Sequence, residues 1–251
     1  MSNISPLINV MKTAYNKVNR RIYRDFGEIE NLQGLDSKID RFFDKTYEFV
    51  KYNIKDYLMY CRPEWKFIDN KNLVFENNIY YWFFEPLSGK ENFKRSIPIF
   101  SISISVFLNG KVVASSIYDP LRNDFYFAEE GKGAFLNDHR IRVSSRKYLE
   151  NSLISLQIKN SNLEIDNLFS KHHISLKNFR IFNSSIVSLS WLCNGKLDCF
   201  IGVNMDPFFI QSSKLLLRES GGFFLETNLN KNSFFICANP TIHKKIIKIL
   251  N

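Results

Sequence analysis

Apolar positions recur at threes and fours along the start of the chain. Leu7, Met11, Ala14, Val18 and Ile22 share one face of a helix. Ser5 is placed to cap it, and Pro6 suits its first position, where the N–H that proline lacks would be unpaired anyway. Gly27 is the expected stop. A second helix is expected from about Asp40, with Phe43, Tyr47, Val50, Ile54 and Leu58 on one side and Pro63 closing it.

After that the period drops to two. Lys66–Asp69 and Tyr80–Glu85 are short strand-like runs. Over Ile99–Phe107, Phe100, Ile102, Ile104 and Val106 take one face, and Ser101, Ser103 and Ser105 the other. Asn109-Gly110 is a hairpin turn pair, and Lys111–Tyr118 returns as a strand. Asp124–Ala128 adds a third member, and Gly131 and Gly133 mark a turn. The second half alternates instead. Strands are expected at Ser152–Leu156, Arg180–Phe182, Leu197–Ile201, Phe223–Glu226 and Phe234–Ala238. Helices are expected at Leu163–Lys171, Ser185–Cys193, Pro207–Ser220 and from Pro240. A meander followed by alternation predicts an α/β protein built in layers. One domain is expected over residues 1–251, with a helix pair and meander over about 1–145 and an alternating half over about 146–251.

Composition narrows the setting. No run reaches the roughly 20 apolar residues of a membrane span. The first residues lack the apolar stretch and cleavage site of a signal peptide, so a cytoplasmic protein without membrane contact is expected. Cys61, Cys193, Cys199 and Cys237 form no C-x-x-C pair, and buried free thiols are expected. The formal charge is +9. That charge suits an RNA, an acidic protein or a phosphorylated small ligand. The basic residues are spread along the chain with no nucleic-acid-binding motif, so a solvated basic surface is the preferred reading.

Three segments then stand out. Trp82–Phe93 reads WFFEPLSGKENF, followed by Pro98–Ile104, PIFSISI. Ile117–Asn137 reads IYDPLRNDFYFAEEGKGAFLN. Leu216–Gly222 reads LLRESGG. Their order and spacing resemble the inositol monophosphatase family, whose patterns are W-x-x-D-P-[IL]-D-G-T-x-N-F, V-Y-D-P-x-x-x-E-x-x-x-A-x-x-G-x-G-A-x-x-N and L-x-x-E-A-G-G. Ser188–Ser190 and Gly195–Asp198 add support. The resemblance implies a layered αβαβα sandwich of the inositol monophosphatase or sugar phosphatase type, commonly a homodimer. It also implies Mg²⁺-dependent hydrolysis of a phosphate monoester. In that chemistry converging carboxylates hold ions that activate a water and clamp the phosphate.

Transferred residue by residue, the resemblance implies a different outcome here. Glu85, Ser88, Gly89 and Lys90 stand at the D-P-L-D-G-T positions. Glu85 keeps a carboxylate and is a weak metal candidate. Ser88 offers a neutral hydroxyl where the family has an acid, and Lys90 an ammonium where it has a threonine. The family's earlier acid pair falls on Asn70 and Lys71, with Asp69 one residue displaced. Its last metal acid falls on Phe209, with Asp206 displaced ahead of Pro207. Asp44 keeps the final acid of a D-x-V-T-x-x-D element, and Arg41 replaces its threonine. The expectation is a pseudoenzyme: a phosphatase-like protein with a degenerate magnesium site, acting by binding or assembly. It would need no cofactor and would hold Mg²⁺ at most weakly. One alternative is a metal-free anion-binding or RNA- and transcription-associated protein, with Lys71 and Lys90 as anion ligands. Another is an active Mg²⁺-dependent phosphatase on a rearranged site of Glu85, Asp69, Asp44 and Asp206. Other chemistries find little support. Ser88 has no His–Asp partner set, and Gly131-Lys132-Gly133 fits a strand turn and not a phosphate loop.

Overall fold

A computed structural model describes residues 4–32, 34, 36–68, 74–159, 176–229 and 232–250. The helix α1 spans Pro6–Ile29, and the Ser5 side chain accepts the Ile8 N–H at 3.2 Å as its cap. It runs past Gly27, because nothing at that glycine turns the chain, and a 3₁₀ turn follows at Glu30–Leu32. The helix α2 spans Asp36–Cys61 and so begins a turn before the expected Asp40.

The strands β1 (Lys66–Phe67), β2 (Tyr80–Ser88), β3 (Ser101–Leu108), β4 (Lys111–Asp119), β5 (Asp124–Glu129), β6 (Gly133–Leu136) and β7 (His139–Arg140) form one sheet in chain order. Its neighbours are antiparallel except β1 and β2. Asn109 and Gly110 both take positive φ, 51° and 76°, as the two-residue turn between β3 and β4 requires. β2 continues beyond Glu85 through Pro86, and the ladder slips register between Glu85 and Ser88. Proline has no N–H to give to a ladder, so an irregularity is expected there. β6 and β7 continue the meander past the turn at Gly131 and Gly133, and His139 lies in a strand.

The second sheet takes the order β11–β12–β10–β8–β9, with β8 at Ile154–Ile158, β9 at Phe179–Arg180, β10 at Cys199–Val203, β11 at Phe223–Leu229 and β12 at Asn232–Ala238. β9 is shorter than expected and ends before Phe182. The helices between and beyond are α3 (Lys90–Lys94), α4 (Ser185–Cys193), α5 (Pro207–Glu219) and α6 (Pro240–Leu250). The helix expected at Leu163–Lys171 lies outside the described residues.

Three cores stack these elements as αβαβα. Ile8, Met11, Val18, Val50 and Ile54 of α1 and α2 pack on Ile102, Ile104 and Val106 of β3. Ile117 and Tyr126 of the first sheet meet Leu189, Leu215 and Leu216 of α4 and α5, which in turn meet Phe200 and Cys237 of the second. Ile242 and Ile246 of α6 cover that sheet's other face, against Leu156, Ile201 and Ile236. The alternation of β3 is therefore apolar toward α1 and α2 and serine toward α4 and α5. Ser101, Ser103 and Ser105 are buried nonetheless, because both faces of the sheet carry helices. Cys193, Cys199 and Cys237 are buried free thiols, and Cys61 is partly exposed. Among the described residues no helix is long and apolar enough to cross a membrane.

Candidate functional site

The irregular end of β2 delivers Glu85 and Ser88, and Gly89 then turns the chain into α3. Gly89 holds φ at 96°, and a Cβ there would sit 2.7 Å from the Ile99 carbonyl oxygen. The Gly89 carbonyl accepts the Phe93 N–H at 3.0 Å, which closes the first turn of α3. Asn92 in that turn donates to the carbonyls of Ile99 at 2.8 Å and Phe182 at 2.6 Å, tying the segment to the approach to α4.

Phe182 leads through Asn183, at φ 53°, into Ser184, the residue that precedes α4. The Ser184 side chain makes no capping bond to its own helix. Its hydroxyl lies 3.3 Å from the Ser88 hydroxyl, so two neutral groups face each other across the site.

The other wall is α2. Glu85 is partly buried, and burial pushes its carboxyl up to about 7, while a backbone hydrogen bond at Leu87 pulls the other way. Tyr47 is close enough that burial, and after it the Glu85 charge, push its hydroxyl up to about 12. Lys90 is exposed, and its ammonium lies 5.1 Å from the centre of the Phe43 ring. Lys94 lies over the same ring at 5.7 Å and pairs with Asp40. That pairing holds the Asp40 carboxyl below its ordinary value, with Lys90 adding to the effect. Asp44 is exposed on α2 and contributes to the field at Lys94.

The expected site residues thus divide. Glu85, Ser88, Gly89 and Lys90 are together by chain continuity, and α2 brings Asp44 near the base of α3. Asp206 lies just ahead of α5, with Pro207 at the first position of that helix. Asp69 and Lys71 lie outside the described residues. Among the described residues no three His, Cys, Asp or Glu side chains converge as a metal-binding group, so Glu85, Asp44 and Asp206 do not form one. Ser184, Phe43 and Tyr47 were not legible as site residues. Ser184 had one signal, a capping residue type just ahead of the Ser185–Cys193 helix. The two aromatics read only as the apolar face of α2.

Other residues of the recognisable segments serve the frame. Asp119 accepts the N–H groups of Leu121 and Arg122, both at 3.1 Å, and pairs with the Arg122 guanidinium at 2.6 Å. Asp198 is fully buried and accepts from Ser144, from Arg146 at 3.1 Å and from the Leu153 N–H at 2.8 Å.

Comparison with known proteins agrees with this fold. The model of the inositol monophosphatase family matches residues 8–251. An inositol-1-monophosphatase of Mesorhizobium japonicum is 29% identical over 262 residues, covering 97% of this chain and 96% of its own. The Nus factor SuhB of Buchnera aphidicola is 34% identical over 178 residues, covering 68% and 66%. The crystal structure of the extragenic suppressor protein suhB from Bartonella henselae superimposes with a TM-score of 0.82 at 28% identity, covering 98% of this chain and 99% of that one.

Proposed function

Since the chain belongs to the inositol monophosphatase family, we propose that it keeps the family's layered frame and acts through binding or assembly, without the family's Mg²⁺-dependent hydrolysis. The observation that carries this reading is the makeup of the Glu85–Lys90 segment. A hard dication needs several converging oxygens, most of them charged. Here, among the described residues, the segment offers one partly buried carboxyl and a serine hydroxyl that faces another, and the ammonium of Lys90 lies over the Phe43 ring. Among the described residues the donor set does not fit a cluster of Mg²⁺ ions, so no hydrolytic step is assigned to them. Losing one electrostatic contact to a transition state already lowers a rate by about 10²–10³.

The purified chain assayed on inositol 1-phosphate, with Mg²⁺ raised to tens of millimolar, tests the reading. No metal-dependent release of phosphate is expected. Turnover that requires Mg²⁺ and disappears in Glu85→Gln would establish the rearranged phosphatase site instead.

Two observations support a partner in transcription. The formal charge of +9, though spread along the chain, suits a polyanion, and a relative sharing 34% identity is a Nus factor. The assembly in this reading is a cytoplasmic homodimer that contacts RNA or an RNA-bound protein. A labelled single-stranded RNA titrated with the chain at two salt concentrations reads this directly. A salt-dependent, saturable complex is expected, and its absence removes the RNA contact from the proposal.

A further inference from the structure

Where the second half of α5 passes the β3–β4 turn, a cavity of about 580 Å³ opens at the seam between the two sheets. Neither Ser184 nor any residue of Glu85–Lys90 lines it. Its volume falls in the range of small-molecule sites, about 300–1,000 Å³. Val112, Leu217, Phe223 and Phe224 supply an apolar lining, and Phe223 is half exposed at 51%. Gly222 is packed so closely that a Cβ there would meet the Leu217 side chain at 2.2 Å, so this wall is built from backbone and fixed apolar groups.

The charged groups at the cavity are not equivalent. Arg218 pairs with Glu130 at 3.2 Å and stands 3.8 Å from Glu219. Lys214 is held over the Phe224 ring, 4.0 Å from its centre, with its side chain 25% exposed. The carboxylate it faces, Glu226, is 3.8 Å away, beyond hydrogen-bond distance. An ammonium has three hydrogens to donate. Here it is partly removed from water without a close acceptor, and burial accordingly lowers its pKa. Glu226 is about half exposed, at 47%, so water screens its repulsion of an incoming anion.

We propose that this cavity binds a small molecule with an apolar body and one carboxylate or comparable anionic group, which the Lys214 ammonium receives. The apolar body lies against Phe223, Phe224 and Val112, and the anionic end supplies the acceptor that Glu226 is too distant to be. This site is independent of the fate of the Glu85 segment.

The test is calorimetric titration of the full chain with decanoate and with its uncharged amide, beside the variant Lys214→Met. Methionine keeps the apolar stem over Phe224 and removes the charge. Saturable binding of decanoate is expected in the wild type, about tenfold weaker or more in the variant, since a charge-assisted contact of this kind is worth at least that. The amide should bind both proteins equally and more weakly. Equal decanoate affinity in the two proteins, an amide that binds the wild type as tightly as the acid, or no saturable binding overturns the proposal. Thermal melting checks that the variant is folded, and Lys214→Gln provides the same comparison where methionine prevents folding.

Discussion

The carboxylate of Glu219, near the end of α5, accepts the backbone N–H of Gly133 at 2.8 Å across 86 residues of sequence. Its other oxygen accepts the N–H of Gly131 at 3.0 Å. The two most recognisable stretches of the chain, Tyr118–Asn137 and Leu216–Gly222, are therefore held to each other. The acid of the second is the clasp for the glycine turn of the first. Both stretches match the family pattern at residues that hold the frame together.

Replacing Glu219 by glutamine tests that role. Glutamine retains one acceptor but turns its amide hydrogens toward one of the two N–H groups. A loss of about 0.5–1.5 kcal/mol in unfolding free energy is expected, the usual contribution of one hydrogen bond, because the Gly131 N–H is exposed and water can take up the donor left over. Urea denaturation measures it, and a change below about 0.5 kcal/mol would show the clasp to be idle.

The Glu85 carboxyl is predicted to make stability fall with rising pH. Its ordinary value is 4.5, and in the folded chain it is pushed up to about 7. Between those values the native chain holds a proton that the unfolded chain has released. Its contribution is complete below the window and is lost as pH rises through it. At about 1.4 kcal/mol for each tenfold in proton affinity, the effect amounts to roughly 3 kcal/mol. Glu85→Gln should remove this part of the slope and be more stable than the wild type above neutral pH. Denaturation curves at pH 5 and pH 8 decide it, and identical pH slopes in the two proteins would count against a raised carboxyl.

Restoring acid and hydroxyl at the replaced positions should restore cation binding. In the double variant Ser88→Asp, Lys90→Thr, a second carboxylate joins Glu85 and an ammonium leaves the segment. Calorimetric titration with MgCl₂ should show affinity rising about tenfold or more over the wild type. No gain would count against the proposal that positions 88 and 90 keep this segment from holding a cation.

Two glycines should respond in opposite directions to alanine. Gly89→Ala places a Cβ 2.7 Å from the Ile99 carbonyl oxygen at a φ of 96°, and a loss of about 1–3 kcal/mol is expected. Gly27 lies inside α1 with open space around it, and Gly27→Ala should stabilise by about 0.5–1 kcal/mol. Thermal melts of the two variants side by side show whether the signs differ.

Much of the architecture was legible because it follows from local rules. Ser5-Pro6 starts α1, Asn109-Gly110 turns β3 into β4, and the alternation of Ile102, Ile104 and Val106 faces the first core as its period requires. Boundaries were legible only to within a turn. Gly27 reads as a stop although Phe26 and Ile29 carry the apolar face of α1 past it, and β2 carries a proline through its irregular end.

By itself the sequence determined the order of the layers and the identity of the groups at Glu85–Lys90, because helix and strand periods and motif spacing are written locally. Tertiary structure decided what those groups face. Ser88 meets Ser184 from 96 positions away, and Lys90 turns to Phe43 on another helix. Lys214 meets Glu226 only at 3.8 Å, beyond hydrogen-bond distance, at a seam between two sheets. Burial and proximity between distant segments arise only when the layers close. They determine which charge is paired, which is stranded and which is neutral.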